Sequence, residues 1–179
     1  YGLAPDQGFV PQLQAWLTAQ GADVTVVNAG VSGDTTAGGL ARLDWSLTPD
    51  VTAMIVTLGG NDMLRGLAPQ ESRSNIEGIL KGAQAKGVRV LLVGMQAPGN
   101  YGPDYKAQFD AIYPDLAAQY HVRLFPGFFA PLAGAGPADP AALTQWLQAD
   151  GIHPNPDGVK KIVAGIGPAV LELLADPAP

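Results

Sequence analysis

Alternating helix-type and strand-type segments predict an α/β fold for this chain, with a parallel sheet covered by helices on both faces. Three observations carry that expectation. The strand-type segments are continuous apolar runs, as in sheets buried on both sides. Segments with apolar residues at helical spacing separate them. Loops rich in Gly, Asn or Asp fall where a strand ends or a helix begins, the place where open α/β sheets keep their ligand sites.

The elements follow in order. Residues 8–20 set Phe9, Leu13, Trp16 and Leu17 on one helical face, and Gly21 ends the run. VTVVN at 24–28 is a short β-branched run, read as a buried strand. Asn28 to Asp34 is a Gly-rich turn, and a helix carrying Leu40, Leu43 and Leu47 follows it. VTAMIVTL at 51–58 is the longest strand-type run, with GGNDMLRG expected as a loop after it. Pro69 opens a helix reaching about Lys86, and VRVLLVG at 88–94 is the next buried strand. The long QAPGNYGPDY loop leads into a helix bearing Phe109, Ile112, Leu116 and Tyr120, then a short strand at 122–125. Residues 126–140 read as loop with a short helix, and Leu143, Trp146 and Leu147 as one further turn. A last helix runs from about Pro156 to Leu174, and DPAP reads as a frayed tail.

One domain over residues 1–179 is expected, with no internal repeat and no linker long enough to divide it. Composition narrows the function classes. The net charge is −6 with no Lys/Arg cluster, which argues against a nucleic-acid surface. There is no cysteine, so disulfides, thiolate nucleophiles and Cys-ligated zinc are excluded. No apolar run approaches the roughly 20 residues of a membrane-spanning helix.

The block DGIHPNPDG carries the most chemistry. It sets Asp150 three positions before His153 in a loop punctuated by Gly and Pro. A carboxylate that close can bond one ring nitrogen and leave the other free as a general base. Such a pair needs a nucleophile, and Ser32, Ser46, Ser72 and Ser74 are the only serines present.

Together with NAGVSGDTTAGGLARL, LGGNDMLRG, the APGNYGPDY loop and AIYPDLA, that block resembles the SGNH (GDSL) hydrolases. The likeness is to the branch of bacterial thioesterase I, lysophospholipase L1 and arylesterase. It covers essentially the whole chain, in the correct order. The resemblance implies a flavodoxin-like three-layer α/β/α sandwich. It also implies that the first strand and the nucleophilic serine of the GDS block lie upstream of Tyr1, since YGLAPDQGF matches the residues just after that block. In a flavodoxin-like strand order this first strand is central, so its two neighbours would otherwise be left with unpaired backbone groups.

By the same resemblance His153 is the general base and Asp150 its orienting partner. Gly33 supplies a backbone N–H to the oxyanion and Asn61 a side-chain amide, and Ser32 belongs to the oxyanion loop. Gly33 also reads as a turn glycine with positive φ. Asp34 and Thr35 are read as caps of the following helix, and Asp62 as a brace for its loop. Met63 and Leu64 are expected to line an acyl site, with Pro98 and Tyr101 at its other edge and Ile152 between the catalytic residues. Arg65 reads equally as a solvated surface residue, and His121 as structural or solvated.

A serine esterase acting on small ester or acyl substrates through an acyl-enzyme is therefore expected, with thioesters or lysophospholipids as further substrates. No metal or organic cofactor is implied. Location in the periplasm or outside the cell is implied by the resemblance alone. The competing readings are an acyl-ligand-binding module without turnover and a carbohydrate acetylesterase.

Overall fold

The computed structural model describes residues 1–133 and 143–177. In chain order the elements are α1 (Phe9–Ala19), α2 (Thr36–Ala41), α3 (Leu43–Ser46), β1 (Ala53–Val56), α4 (Gly60–Leu64), α5 (Pro69–Ala85), β2 (Arg89–Val93), α6 (Pro103–Tyr120), β3 (Arg123–Phe125), α7 (Ala130–Ala133) and α8 (Pro156–Ala175). They form two compact units: Tyr1–Gly30 with Phe129–Glu172, and Val31–Phe128 with Leu173–Pro179.

The second unit holds the sheet. β1, β2 and β3 are parallel and lie in chain order, with Ala53 opposite Arg89 and Leu91 opposite Arg123. Val90 to Val93 are all buried, which is why that run shows no polar alternation. Helices α5 and α6 pack on β2, and α6 also on β3. The apolar stripe of α5 is Ile76, Ile79, Leu80 and Ala83; that of α6 is Phe109, Ile112, Tyr113 and Leu116. Each fully buried aliphatic side chain is worth about 1.5–3 kcal/mol, so these stripes dominate the unit's stability. Gly78 and Gly82 leave room on α5 for Leu40 and Leu43: a Cβ at either would come within 3 Å of those side chains. The helix expected over Leu40–Leu47 is split at Arg42 into α2 and α3.

At the end of the sheet, Arg89 donates to the carbonyls of Leu174 and Asp176 at 2.8 Å each, and to Leu173 at 3.3 Å. Arg123 forms a two-pronged ion pair with Asp176, at 2.5 and 2.8 Å. Asp176 is therefore tied down rather than frayed. A guanidinium satisfies the carbonyls that the end of α8 leaves open.

In the first unit, α8 lies against α1 at Gly167, where a Cβ would strike the Trp16 ring at 2.5 Å. Gly165 makes similar room for Pro131 of α7. Leu13, Leu17, Ile162, Val163 and Ile166 are buried. Trp146 lies beneath the Lys161 amine, 4.4 Å from nitrogen to ring centroid. In the other unit Trp45, on α3, is 90% exposed.

Two expectations are corrected. Residues 24–28 form no strand. Their backbone is held instead by the Gln14 side chain, which donates to the Val24 carbonyl at 3.0 Å and accepts from Val26 N–H at 2.7 Å. A single amide thus takes the place of a strand neighbour, and Val27 stays exposed. GGNDMLRG is not loop throughout, because Gly59 at φ 109° turns the chain into the short helix α4. The expected loop over 126–140 falls partly outside the described residues, with α7 at its start.

Arg89→Ala strips several carbonyls of a charged donor, and it should lower the unfolding free energy by about 2 kcal/mol in a denaturant titration.

Candidate active site

In the second unit, two segments are laced together: Gly33–Thr36 and Asn61–Arg65. The Asn61 amide nitrogen donates to the Asp34 carbonyl at 2.9 Å. Arg65 Nη2 donates to the Gly33 carbonyl at 2.8 Å. Asp62 is 1% exposed, and its carboxylate accepts from Thr36 N–H at 2.9 Å, Thr36 Oγ1 at 2.5 Å and Ser72 Oγ at 3.1 Å. Asn75 donates to Thr36 Oγ1 from α5, extending the network. A buried carboxylate is costly unless every lone pair has a donor, and here three donors converge on it. Asp62 is the brace expected, and more: it fixes α4, which carries Asn61, onto the start of α2.

Gly33 sits at φ 78°, a left-handed position that a side chain would strain. Thr35 caps α2 by accepting from Gly38 N–H, and Asp34 pairs with Arg42 at 2.7 Å. An asparagine amide carries two N–H bonds. One anchors Asn61 on Asp34, which leaves the second for an acceptor outside the protein.

A row of aromatic rings supports this segment from below. Tyr101, Tyr105, Phe109 and Tyr113 succeed one another at four-residue spacing, with neighbouring ring centroids 5.0–6.0 Å apart. Their hydroxyls donate to the carbonyls of Leu64 (from Tyr101, 3.2 Å), Leu67 (from Tyr105, 3.0 Å) and Leu58 (from Tyr113, 2.9 Å). Both ends of the Asn61 segment thus hang on tyrosine hydroxyls. Burial, with the Asp62 and Asp110 charges adding to it, pushes the Tyr113 hydroxyl far above the ordinary tyrosine range, so it remains a donor. Gly59 and Gly66 permit the approach, since a Cβ would strike Tyr113 Oη or the Tyr101 ring. Sequence reasoning missed Tyr105, Tyr113, Thr36, Ser72 and Asn75. The four-residue aromatic spacing was the one available signal.

The expected acyl-site residues divide. Met63 is half-buried and packs on the core, whereas Leu64 and Tyr101 stand 48% and 43% exposed beside each other. Pro98 is exposed and precedes the single turn Gly99–Tyr101. Ile152 is exposed in the first unit. His121 is exposed and ends α6 in a left-handed conformation.

In the first unit, Asp150 and His153 meet as their spacing requires. Oδ2 of Asp150 lies 2.7 Å from His153 Nδ1. Oδ1 accepts from the backbone N–H of Ile152 at 2.9 Å and of His153 at 3.0 Å. Gly151 at φ 70° makes the turn that lets one carboxylate reach both N–H groups and the ring. Because a carboxylate accepts, Nδ1 is the donor of this bond, and in the neutral ring that leaves the lone pair to Nε2. The loop is held in turn by Gln148, whose Nε2 donates to the Pro154 and Tyr1 carbonyls at 3.0 Å each. Asn155 caps α8 by accepting from Gly158 N–H at 2.9 Å. The Tyr1 ring lies 4.7 Å from the imidazole, centroid to centroid. The His153 backbone N–H, the ring and the Ile152 N–H hold the Asp150 carboxyl down to about 2.

Comparison with known proteins decides the family. The model of the GDSL-like Lipase/Acylhydrolase family matches residues 1–161. The chain belongs to that family. It is a hydrolase of the serine esterase type. It is 42% identical over 174 residues to Esterase TesA of Pseudomonas aeruginosa, covering 97% of this chain and 83% of that one. To Thioesterase 1/protease 1/lysophospholipase L1 of Escherichia coli it is 43% identical over 134 residues, covering 74% of this chain and 61% of that one. The crystal structure of AlinE4, an SGNH-hydrolase family esterase, superposes with a TM-score of 0.76 at 40% identity, covering 98% of this chain and 90% of the other. The fold class is therefore the three-layer α/β architecture with a parallel sheet. Among the described residues, no helix is long and apolar enough to cross a membrane.

Asp62→Ala should destabilise by about 3 kcal/mol in denaturant, because it strands three buried donors. Tyr113→Phe, which removes one bond, should cost about 1 kcal/mol. The depressed Asp150 carboxyl gives a signed expectation. Its stabilising bonds are fully present above its unfolded value of 3.8 and are lost as pH falls through about 2. A carboxyl-carbon NMR titration of Asp150 should show that low midpoint.

Proposed function

We propose that this family member cleaves carboxylic esters through an acyl-enzyme in which His153, Asp150, Asn61 and Gly33 act as the resemblance assigns them. The observation that carries the reading is the Asp150 carboxylate, 2.7 Å from Nδ1 and locked by two backbone N–H groups. An imidazole so held presents the Nε2 lone pair in one orientation, as a general base requires.

The reaction then runs in two halves. A serine hydroxyl attacks the ester carbonyl carbon while Nε2 of His153 takes its proton, and Asp150 stabilises the resulting imidazolium. The carbonyl oxygen becomes an oxyanion that accepts from Gly33 N–H and from the second Asn61 amide hydrogen. As the intermediate collapses, the carbon–oxygen bond to the leaving alcohol breaks, and the imidazolium gives that alcohol its proton. Water repeats the sequence on the acyl-serine, releasing the acid and restoring the hydroxyl. By the family resemblance the attacking serine is that of the GDS block. Ser72 is buried on Asp62 and Ser46 bonds the Arg42 carbonyl, so neither fits the role.

Small esters are the substrate class, and thioesters and lysophospholipids extend it on the strength of the relatives' names. We place the enzyme in the periplasm or outside the cell on the family resemblance.

With p-nitrophenyl esters, His153→Ala should lower kcat by at least about 10³-fold and Asp150→Asn by about 10²–10⁴-fold. Asn61→Ala should lower kcat by about 10²–10³-fold with little change in KM. Near-normal turnover by His153→Ala would remove the imidazole from the mechanism.

A further inference from the structure

We infer that Arg65 is a recognition group for an anionic, phosphate-bearing part of the substrate, set beside the apolar pair Leu64 and Tyr101. The inference rests on the esterase reading above and names the kind of ester that site favours.

The charge inventory singles this residue out. Seven of the ten Lys and Arg side chains pair with carboxylates: Arg42, Arg73, Lys81, Lys86, Lys106, Arg123 and Lys160. Arg89 is spent on the carbonyls at the end of α8, and Lys161 lies over Trp146. Among the described residues, only Arg89 and Arg65 have neither an acidic partner nor an aromatic face, and Arg89 is turned to several carbonyls where Arg65 has one. Arg65 is exposed, and its one bond goes to a neutral acceptor, the Gly33 carbonyl, at 2.8 Å. The two nearest acids in the network are unavailable. Asp34 is held by Arg42 and Thr35 N–H, and Asp62 by Thr36 and Ser72.

A guanidinium has five N–H donors, and one bond to Gly33 leaves most of the fork open. Its base is firm: Arg65 N–H donates to the Asn61 carbonyl at 3.1 Å, and the preceding Leu64 carbonyl accepts from Tyr101. A lone cation is thus held on the Gly33 carbonyl, on a chain whose net charge of −6 otherwise repels anions. Leu64 and Tyr101 expose apolar surface next to it. An apolar pair flanked by an unneutralised guanidinium matches an acyl chain whose alcohol or thiol portion carries phosphate. A neutral aryl ester uses half of that surface.

The test pairs substrates that differ in charge and share the reacting bond. Octanoyl-coenzyme A is set against octanoyl-N-acetylcysteamine, and lysophosphatidate against the matching monoacylglycerol, so that the two sources of phosphate are separated. The unsubstituted enzyme should prefer each phosphate-bearing member, and 0.5 M salt should erase that preference. Arg65→Gln should lower the ratio of kcat/KM values, charged over neutral, by about tenfold through KM, with Arg65→Lys recovering much of it. Loss confined to one pair identifies which phosphate source the site reads. Equal losses on charged and neutral members would overturn the inference and leave Arg65 as a prop for Gly33. An unaltered wild-type ratio in salt would do the same. If the unsubstituted enzyme cleaves none of the four, the esterase reading falls together with this one.

Discussion

The buried carboxylate of Asp62 is the constraint on which the Gly33–Thr36 and Asn61–Arg65 segments depend. An anion at 1% exposure is tolerable because Thr36 supplies two donors and Ser72 a third. Those donors come from α2 and α5, so the charge can be satisfied in one arrangement of three helices. Asn61 precedes Asp62 in the chain and inherits that precision. Its bond to the Asp34 carbonyl and the Arg65 bond to Gly33 then add direction at little further cost in ordering. The tyrosine hydroxyls hold the same segment from the other side, at Leu58, Leu64 and Leu67.

The Asp150–His153 pair is built on the opposite principle. Both side chains are partly exposed, and all three bonds to the carboxylate come from residues two or three positions away. Local geometry, with Gly151 at positive φ, does there what burial does around Asp62. An exposed loop tolerates small movements of the imidazole during proton transfer, while an oxyanion site gains from donors that do not move. Each half of the proposed chemistry has the kind of support that suits its task.

This difference also explains what could be read from the sequence. The Asp150–His153 contact was legible because three residues of separation fix it. Helix α5 and strand β2 were legible from periodicity and from an unbroken apolar run. Residues 24–28 were not, because a strand is defined by its partner and Gln14 fills that place. The glycines of GGND suggested loop, yet Gly59 is what allows α4 to begin. Asp62 was seen as a brace, but Thr36, Ser72 and Asn75 stand 10 to 39 positions from their partners, beyond the reach of local pattern. The ion pair that restrains Asp176 spans 53 positions and was hidden for the same reason.

Trp45 stands almost fully in solvent, while Trp16 lies against Gly167 and Trp146 beneath Lys161. Unfolding changes the surroundings of the latter two indoles and scarcely those of Trp45. Intrinsic fluorescence therefore follows the part of the chain built from α1 and α8, over a constant red-shifted background. Melting of the sheet passes almost unseen by emission and has to be followed by circular dichroism.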